Sequence, residues 1–266
     1  DLHLSIRRQR QMCIRDRDKI SKLKLYCDAL ITEAVTKGLK NCPTKTQIEW
    51  IGATPTHWNI KKIRYLGKLQ NGINKDASCF GTGFPFVNYS DAYNNIALPP
   101  KVDGLVESSI SDRRFFSVKR GDVFFTRTSE TIEEIGFAAT CLSSLDNATF
   151  AGFLIRFRPD GEFLLPEFSK YYFRNNTLRK YFVKEMMIVT RASLGQNLLK
   201  NLPVLIPPKN EQFAISQYLD SKLEQINKCI LSEEKLLSLM RSYRKSIIYE
   251  YVTGKKRVKE SVSHAN

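Results

Sequence analysis

The chain has 266 residues, 42% of them apolar, which is enough to bury a real core and excludes a disordered polymer. Lys and Arg outnumber Asp and Glu by 42 to 27, giving a net charge of +15, so a polyanion is the expected partner, with nucleic acid and a membrane surface as the usual candidates. Cys13, Cys27, Cys42, Cys79, Cys141 and Cys229 show no C-x-x-C spacing, and only three histidines are present, so neither a zinc site nor a disulfide framework is indicated.

In chain order, residues 1–17 come first, with five arginines and no amphipathic period. They read as a non-native or disordered segment rather than a basic arm, and are set aside from fold reasoning. Two aspartates leave with the five arginines, so +15 becomes +12 and the basic balance survives. No apolar run reaches membrane-spanning length and no leader is visible, so a soluble cytoplasmic protein with reduced thiols is expected.

Residues 18–40 read as the end of a helix. Six positions, Ser21, Tyr26, Ile31, Glu33, Val35 and Thr36, recur 217 residues later as Ser238, Tyr243, Ile248, Glu250, Val252 and Thr253. Gly38 and Gly254 come after the two copies, where a helix C-cap would stand. The chain thus holds the tail of one long helix and the whole of its repeat.

Residues 41–208 change character. Aromatic and β-branched runs at Phe84–Tyr89, Arg114–Val118, Asp122–Thr126, Ile135–Cys141 and Phe153–Phe157 alternate with Gly and Pro, predicting a mixed or antiparallel sheet. Pro166–Glu185 reads as a helix, and Leu202–Pro208 as a strand stopped by prolines, with Asn210 as N-cap of a second, longer helix. The expected class is α+β, a sheet domain followed by a long coiled-coil helix.

That helix, within residues 209–254, has no Gly or Pro from Glu211 to Val252. A heptad seam passes through Leu219, Leu223, Ile226, Ile230, Glu233, Leu237, Met240, Arg244, Ile247 and Tyr251, eight of the ten being apolar. About 40 residues span about 60 Å, too long for a small domain to cover. Residues 18–37 supply only a short partner through Ile20, Leu23, Cys27, Leu30 and Ala34, so most of the seam is expected to be covered by missing sequence or another chain. In an antiparallel homodimer Glu233 of one copy would approach Arg244 of the other. Residues 255–266 are a basic, polar tail.

Double-stranded DNA is read by Arg, Lys, Asn, Gln and hydroxyl groups. The densest such cluster is Arg113, Arg114, Lys119, Arg120, Arg127, Thr128 and Ser129, expected around one strand–turn–strand unit, with Arg191 further on. Arg174, Arg179 and Lys180 form a second basic stretch and Lys61, Lys62 and Arg64 a third; for any single one a solvated surface charge is the plainer reading. No Asn/Asp-Pro-Pro-aromatic methyltransferase motif, glycine-rich cofactor loop or P-loop is found, and no catalytic or metal-binding residue is assigned.

Four motifs in order carry a family resemblance. Trp50-Ile51-Gly52 with Pro55 and Trp58 resembles the opening of a target-recognition domain in Type I restriction–modification specificity subunits, with a shorter first spacing. Gly121–Gly136 resembles its central strand and loop, and Thr190–Asn197 with Leu202-Pro203 and Pro207-Pro208 to Gln212 its exit. Val252-Thr253-Gly254-Lys255 resembles the end of the conserved helix. The resemblance implies a non-catalytic subunit that reads one part of a split DNA site. Its long helix would dock methyltransferase (M) subunits and, in the full complex, a restriction/translocase (R) subunit; S-adenosylmethionine, ATP and Mg²⁺ would be used by those partners. A coiled-coil scaffold without DNA reading, or a standalone DNA-modifying enzyme, are the rival readings.

Overall fold

A computed structural model describes residues 2–129, 135–161, 163–185 and 192–256. Helix α1 (Leu2–Lys37) runs without a break through the arginine-rich N-terminal stretch. It stops at Gly38, whose φ of +77° suits a residue without a side chain, and the Gly38 N–H donates to the Ala34 carbonyl at 3.1 Å.

Strands β1 (Thr44–Ile48) and β2 (Gly52–Pro55) form a hairpin. Then come β3 (Asn59–Lys62), β4 (Gly67–Asn71) and β5 (Phe80–Val87), followed by α2 (Tyr89–Asn94), β6 (Leu105–Val106) and α3 (Ile110–Phe115). Ser109 and Asp112 cap α3 reciprocally, the Asp112 N–H donating to Ser109 Oγ and the Ser109 N–H to the Asp112 carboxylate, both at 3.0 Å. That capping box overrides the apolar run, so Arg114–Val118 is not the strand expected from sequence.

β7 (Val123–Thr126), β8 (Thr128–Ser129), β9 (Ala138–Thr140), β10 (Thr149–Phe150) and β11 (Leu154–Pro159) complete the central sheets. Four strands pair in the order β4-β11-β7-β9, all antiparallel. Every residue of β7 is buried, so both faces of this sheet are covered. On one face Phe124 packs against Phe150, with ring centroids 5.1 Å apart, beside Ala139 and Leu154. On the other, Phe125 and Phe157 meet Phe173 at 5.5 and 5.8 Å.

Phe173 ends α4 (Pro166–Tyr172), and α5 (Thr177–Glu185) comes next. The single helix expected over Pro166–Glu185 is broken at Asn175, whose side chain accepts from the Thr177 N–H at 2.8 Å and competes with the helical ladder. Then come β12 (Ala192–Ser193), α6 (Gln196–Asn201), β13 (Pro203–Ile206) and α7 (Lys209–Val252). Asn210 lies inside α7 rather than capping it; the first carbonyl to accept is that of Pro208, from the Glu211 and Gln212 N–H groups.

The chain divides into two compact units that cut across both long helices, one of residues 30–219 and one of residues 1–29 with 220–266. In the helical unit Ile20 and Leu23 of α1 pack with Ile226, Ile230 and Leu237 of α7, and Lys19 is ion-paired with Glu233. That corrects the expectation for Glu233, whose partner is in its own chain. On the α1 side these contacts come from Lys19, Ile20 and Leu23, within the stretch expected to be the short partner of the seam. Arg244 is exposed, while Met240, Ile247 and Tyr251 are half-buried.

Candidate nucleic-acid interface

In the sheet-bearing unit the opening and exit motifs meet. Trp58 Nε1 donates to Glu211 at 2.9 Å, and His57 lies 2.8 Å from the same carboxylate. Gln212, fully buried, accepts from the Leu165 N–H and donates to the Phe163 and Pro207 carbonyls, each at 2.8 Å. These residues fasten the root of α7 to the sheet domain and are not available for a ligand.

The central and exit motifs also meet. β8 and β12 form a two-stranded antiparallel ribbon, with Ser129 opposite Ala192 and Thr128 opposite Ser193. The Leu194 N–H donates to the Arg127 carbonyl at 2.7 Å, and the Arg127 N–H donates to the Phe153 carbonyl at 2.9 Å. Tyr89 Oη donates to the Thr128 carbonyl at 2.9 Å. The backbones of Arg127 and Thr128 are thereby bonded to Phe153 and Tyr89, which line a cleft of about 620 Å³ together with Asn74, Lys75, Phe80 and Ser90. Arg191 lies outside the described residues, directly before β12.

The arginine cluster read from sequence is divided. Arg127, Thr128 and Ser129 lie past the C-terminal end of β7, while Lys119 and Arg120 precede its other end. Asp122 and Arg127 are five residues apart, roughly 16 Å at about 3.3 Å per residue. Arg113 and Arg114 sit on α3, not on a strand, which corrects the strand–turn–strand expectation. Arg113 lies 3.7 Å over the Phe84 ring and donates to the Ser108 carbonyl. Its neighbour Asp112 accepts from Lys75 at 2.9 Å, and this bond lowers the Asp112 carboxyl and raises the Lys75 ammonium from their ordinary values. Among the described residues, Arg114, Lys119 and Arg127 have no side-chain partner, whereas Arg120 is paired with Glu167 at 2.5 Å.

The other basic stretches are largely structural. Arg174 and Arg179 each lie 4.1 Å from the Phe137 ring centroid, and Arg174 donates to the Tyr93 and Ala92 carbonyls. Lys61 lies over Phe163, and Arg64 over Tyr65. Sequence reading missed Asn74 and Phe153. It placed Phe153 at the start of a strand, but β11 begins at Leu154 and Phe153 stands on the preceding turn, 63% exposed. Among the described residues no cluster of His, Cys, Asp and Glu could hold a metal ion, and no helix is long and apolar enough to cross a membrane.

The sheet-bearing unit thus combines a mixed-sheet domain, a two-stranded ribbon and a cleft of mixed polar and aromatic lining with the first turns of a long helix. The chain belongs to the Type I restriction modification DNA specificity domain family, whose model it matches over residues 55–236, well over half its length. It is 25% identical over 218 residues to the MjaX type I restriction enzyme specificity subunit assigned in Methanocaldococcus jannaschii, covering 77% of this chain and 50% of that protein. To the EcoKI specificity subunit of Escherichia coli K12 it is 26% identical over 215 residues, 74% of this chain and 44% of the other. The chain therefore spans about half the length of the curated relatives it matches. Its fold is that of a chain in a type I R-M system assembly (TM-score 0.68, 15% identity, 93% of this chain and 56% of the other). It is also that of the HsdS subunit from Thermoanaerobacter tengcongensis (TM-score 0.54, 14% identity, 93% and 55%).

Proposed function

We propose that this chain reads one part of a split site on double-stranded DNA, within the cytoplasm, as the recognition half of a Type I specificity subunit. The observation that carries this reading is the β8–β12 ribbon, which joins two motifs about 60 residues apart, with the backbones of Arg127 and Thr128 bonded to the cleft residues Phe153 and Tyr89. Arg127, with no side-chain partner among the described residues, would present its fork to a guanine edge; Arg113, Arg114 and Arg191 would flank it, and Lys119 and Arg120 would lie further along the duplex. The chain contributes no catalysis. Methyl transfer with S-adenosylmethionine, and ATP- and Mg²⁺-dependent translocation and cleavage, would belong to M and R subunits docked through the helices.

On α7, Leu236, Leu239 and Tyr243 are exposed at helical spacing, on a different face from the Ile230–Leu237 seam. This is the surface assigned to the methyltransferase subunit. Self-association as an antiparallel homodimer is the second use of the same helix, but its charge argument lapses with Glu233 bonded to Lys19. Selection of binding duplexes from a random pool by the purified chain tests the reading, with methylation and cleavage assayed in parallel. An enriched sequence without turnover is expected. Failure to enrich any sequence, or turnover that survives purification, overturns it, and sedimentation at micromolar concentration decides the dimer.

A further inference from the structure

Three chain segments are tied together at the floor of the cleft. The Ile73 N–H donates to the Phe150 carbonyl at 2.9 Å, the Gly152 N–H returns to the Ile73 carbonyl at 3.0 Å, and the Ala151 N–H donates to the Val87 carbonyl at 3.0 Å. Ile73 and Ala151 also form a parallel bridge. Directly beyond this bracing stand two side chains with no evident internal use. Asn74 is exposed, and its carboxamide has no hydrogen-bond partner among the described residues. Phe153 is 63% exposed on a turn whose carbonyl is held by the Arg127 N–H.

The two are placed as a pair. A Cβ on residue 152 would lie 1.8 Å from Asn74 Oδ1, so the glycine is what lets the carboxamide sit against the turn that presents Phe153. A carboxamide without a partner among the described residues and a largely exposed aromatic ring thus line one cleft, and packing explains neither, because neither side chain is buried. Its chemistry fits one base pair. A carboxamide can accept from adenine N6 and donate to N7, and an aromatic ring can cover the thymine C5-methyl; both groups face the major groove.

We infer that Asn74 and Phe153 together recognise an A·T pair in the major groove, beside the base met by Arg127. This rests on the DNA-reading proposal and adds to it the identity of one base pair and the residues that fix it. A cation such as Arg127 adds affinity for any duplex, whereas Asn74 and Phe153 carry no charge and would act on sequence alone.

The experiment uses the full chain and the duplex it enriches from a random pool. Each adenine is replaced in turn by 7-deazaadenine, which lacks the N7 acceptor, and each thymine by deoxyuridine, which lacks the methyl. At one A·T pair both replacements should weaken binding by the wild-type chain about tenfold. Asn74→Ala should bind the 7-deaza duplex and its parent equally while still discriminating against deoxyuridine; Phe153→Ala should do the reverse. Gly152→Ala, which displaces the carboxamide without removing it, should behave as Asn74→Ala does. If a sequence is enriched but no A·T pair responds to either analogue, or the variants keep the wild-type responses, the pairing of Asn74 and Phe153 with A·T is overturned while DNA reading stands. A chain that enriches nothing overturns both.

Discussion

The two ends of β7 both carry arginines, and they use them in opposite ways. At the Asp122 end, Arg158 grips Asp122 with two bonds of 2.6 Å, and Arg156 donates to the Ser117 carbonyl at 2.5 Å and to Gln70. Arg156 is 6% exposed, and burial, followed by the neighbouring Arg158, draws its guanidinium down to about 10. Arg158 alone grips the buried carboxylate of Asp122, while Arg156 is held by neutral acceptors. At the Arg127 end the guanidinium has no partner among the described residues, and the neighbouring backbone is fixed by bonds from Tyr89 and Leu194. Counting arginines does not separate a binding edge from a structural one; pairing does.

The largest effect should come from breaking the paired end. Asp122→Ala strips the buried carboxylate from Arg158, which it holds with two bonds, and leaves that partly buried guanidinium beside the buried Arg156; it should cost about 3 kcal/mol, read from the denaturant midpoint. It also removes the acceptor for the Lys119 N–H, which shapes the turn. A loss below about 1 kcal/mol would mean that water reaches this end of the sheet, and the contrast with Arg127 would collapse.

The helical unit gives the next effect. Leu237, 5% exposed, should lose stability near the lower end of the roughly 2–5 kcal/mol range when changed to Ala, because a two-helix pair can relax around the cavity. Arg244→Ala, at an exposed seam position, should stay within about 0.5 kcal/mol. Equal losses at the two positions would show that the helix is covered beyond Leu237 as well.

This seam is legible in the sequence nearly residue by residue. Leu223, Ile226, Ile230, Glu233, Leu237, Met240, Ile247 and Tyr251 are all withdrawn from solvent, because a helix turns its faces at a fixed period. The strands at Asp122–Thr126 and Phe153–Phe157 are also legible, to within a residue or so. The site is not. Whether Arg120 or Arg127 is free depends on Glu167 reaching Arg120 from α4, 47 residues along the chain, and no local pattern encodes that. Phe153 looks like strand because an exposed aromatic on a turn and a buried one in a strand are the same letter. The short partner of the seam is legible too, since Ile20 and Leu23 pack on α7 as their spacing predicts; what the composition of residues 1–17 hides is that the α1 backbone stays helical through them.

The reading end should respond in binding rather than in stability. Arg127→Ala should leave the unfolding midpoint within about 0.5 kcal/mol and remove about 1–3 kcal/mol of discrimination between the enriched duplex and random DNA. Equal weakening on both duplexes would reassign Arg127 to the phosphate backbone.

Arg120→Ala should do least. The pair with Glu167 is half-exposed on both sides, so its removal should cost at most about 1 kcal/mol of stability. Its effect on DNA separates two footprints. A phosphate contact would lower the slope of log affinity against log salt by about 0.9 when lost. Because Asp122 and Arg127 stand roughly 16 Å apart, a duplex touching both ends of β7 would be covered for about five base pairs at about 3.4 Å each. An unchanged slope in Arg120→Ala, with a lowered slope in Lys119→Ala, is expected if the turn touches DNA through its unpaired lysine alone. Unchanged slopes in both would confine DNA to the cleft end, and the paired end of β7 would then be purely structural. A lowered slope in Arg120→Ala would mean that DNA displaces Glu167 from the guanidinium, in which case Glu167→Gln should tighten non-specific binding by releasing the arginine in advance.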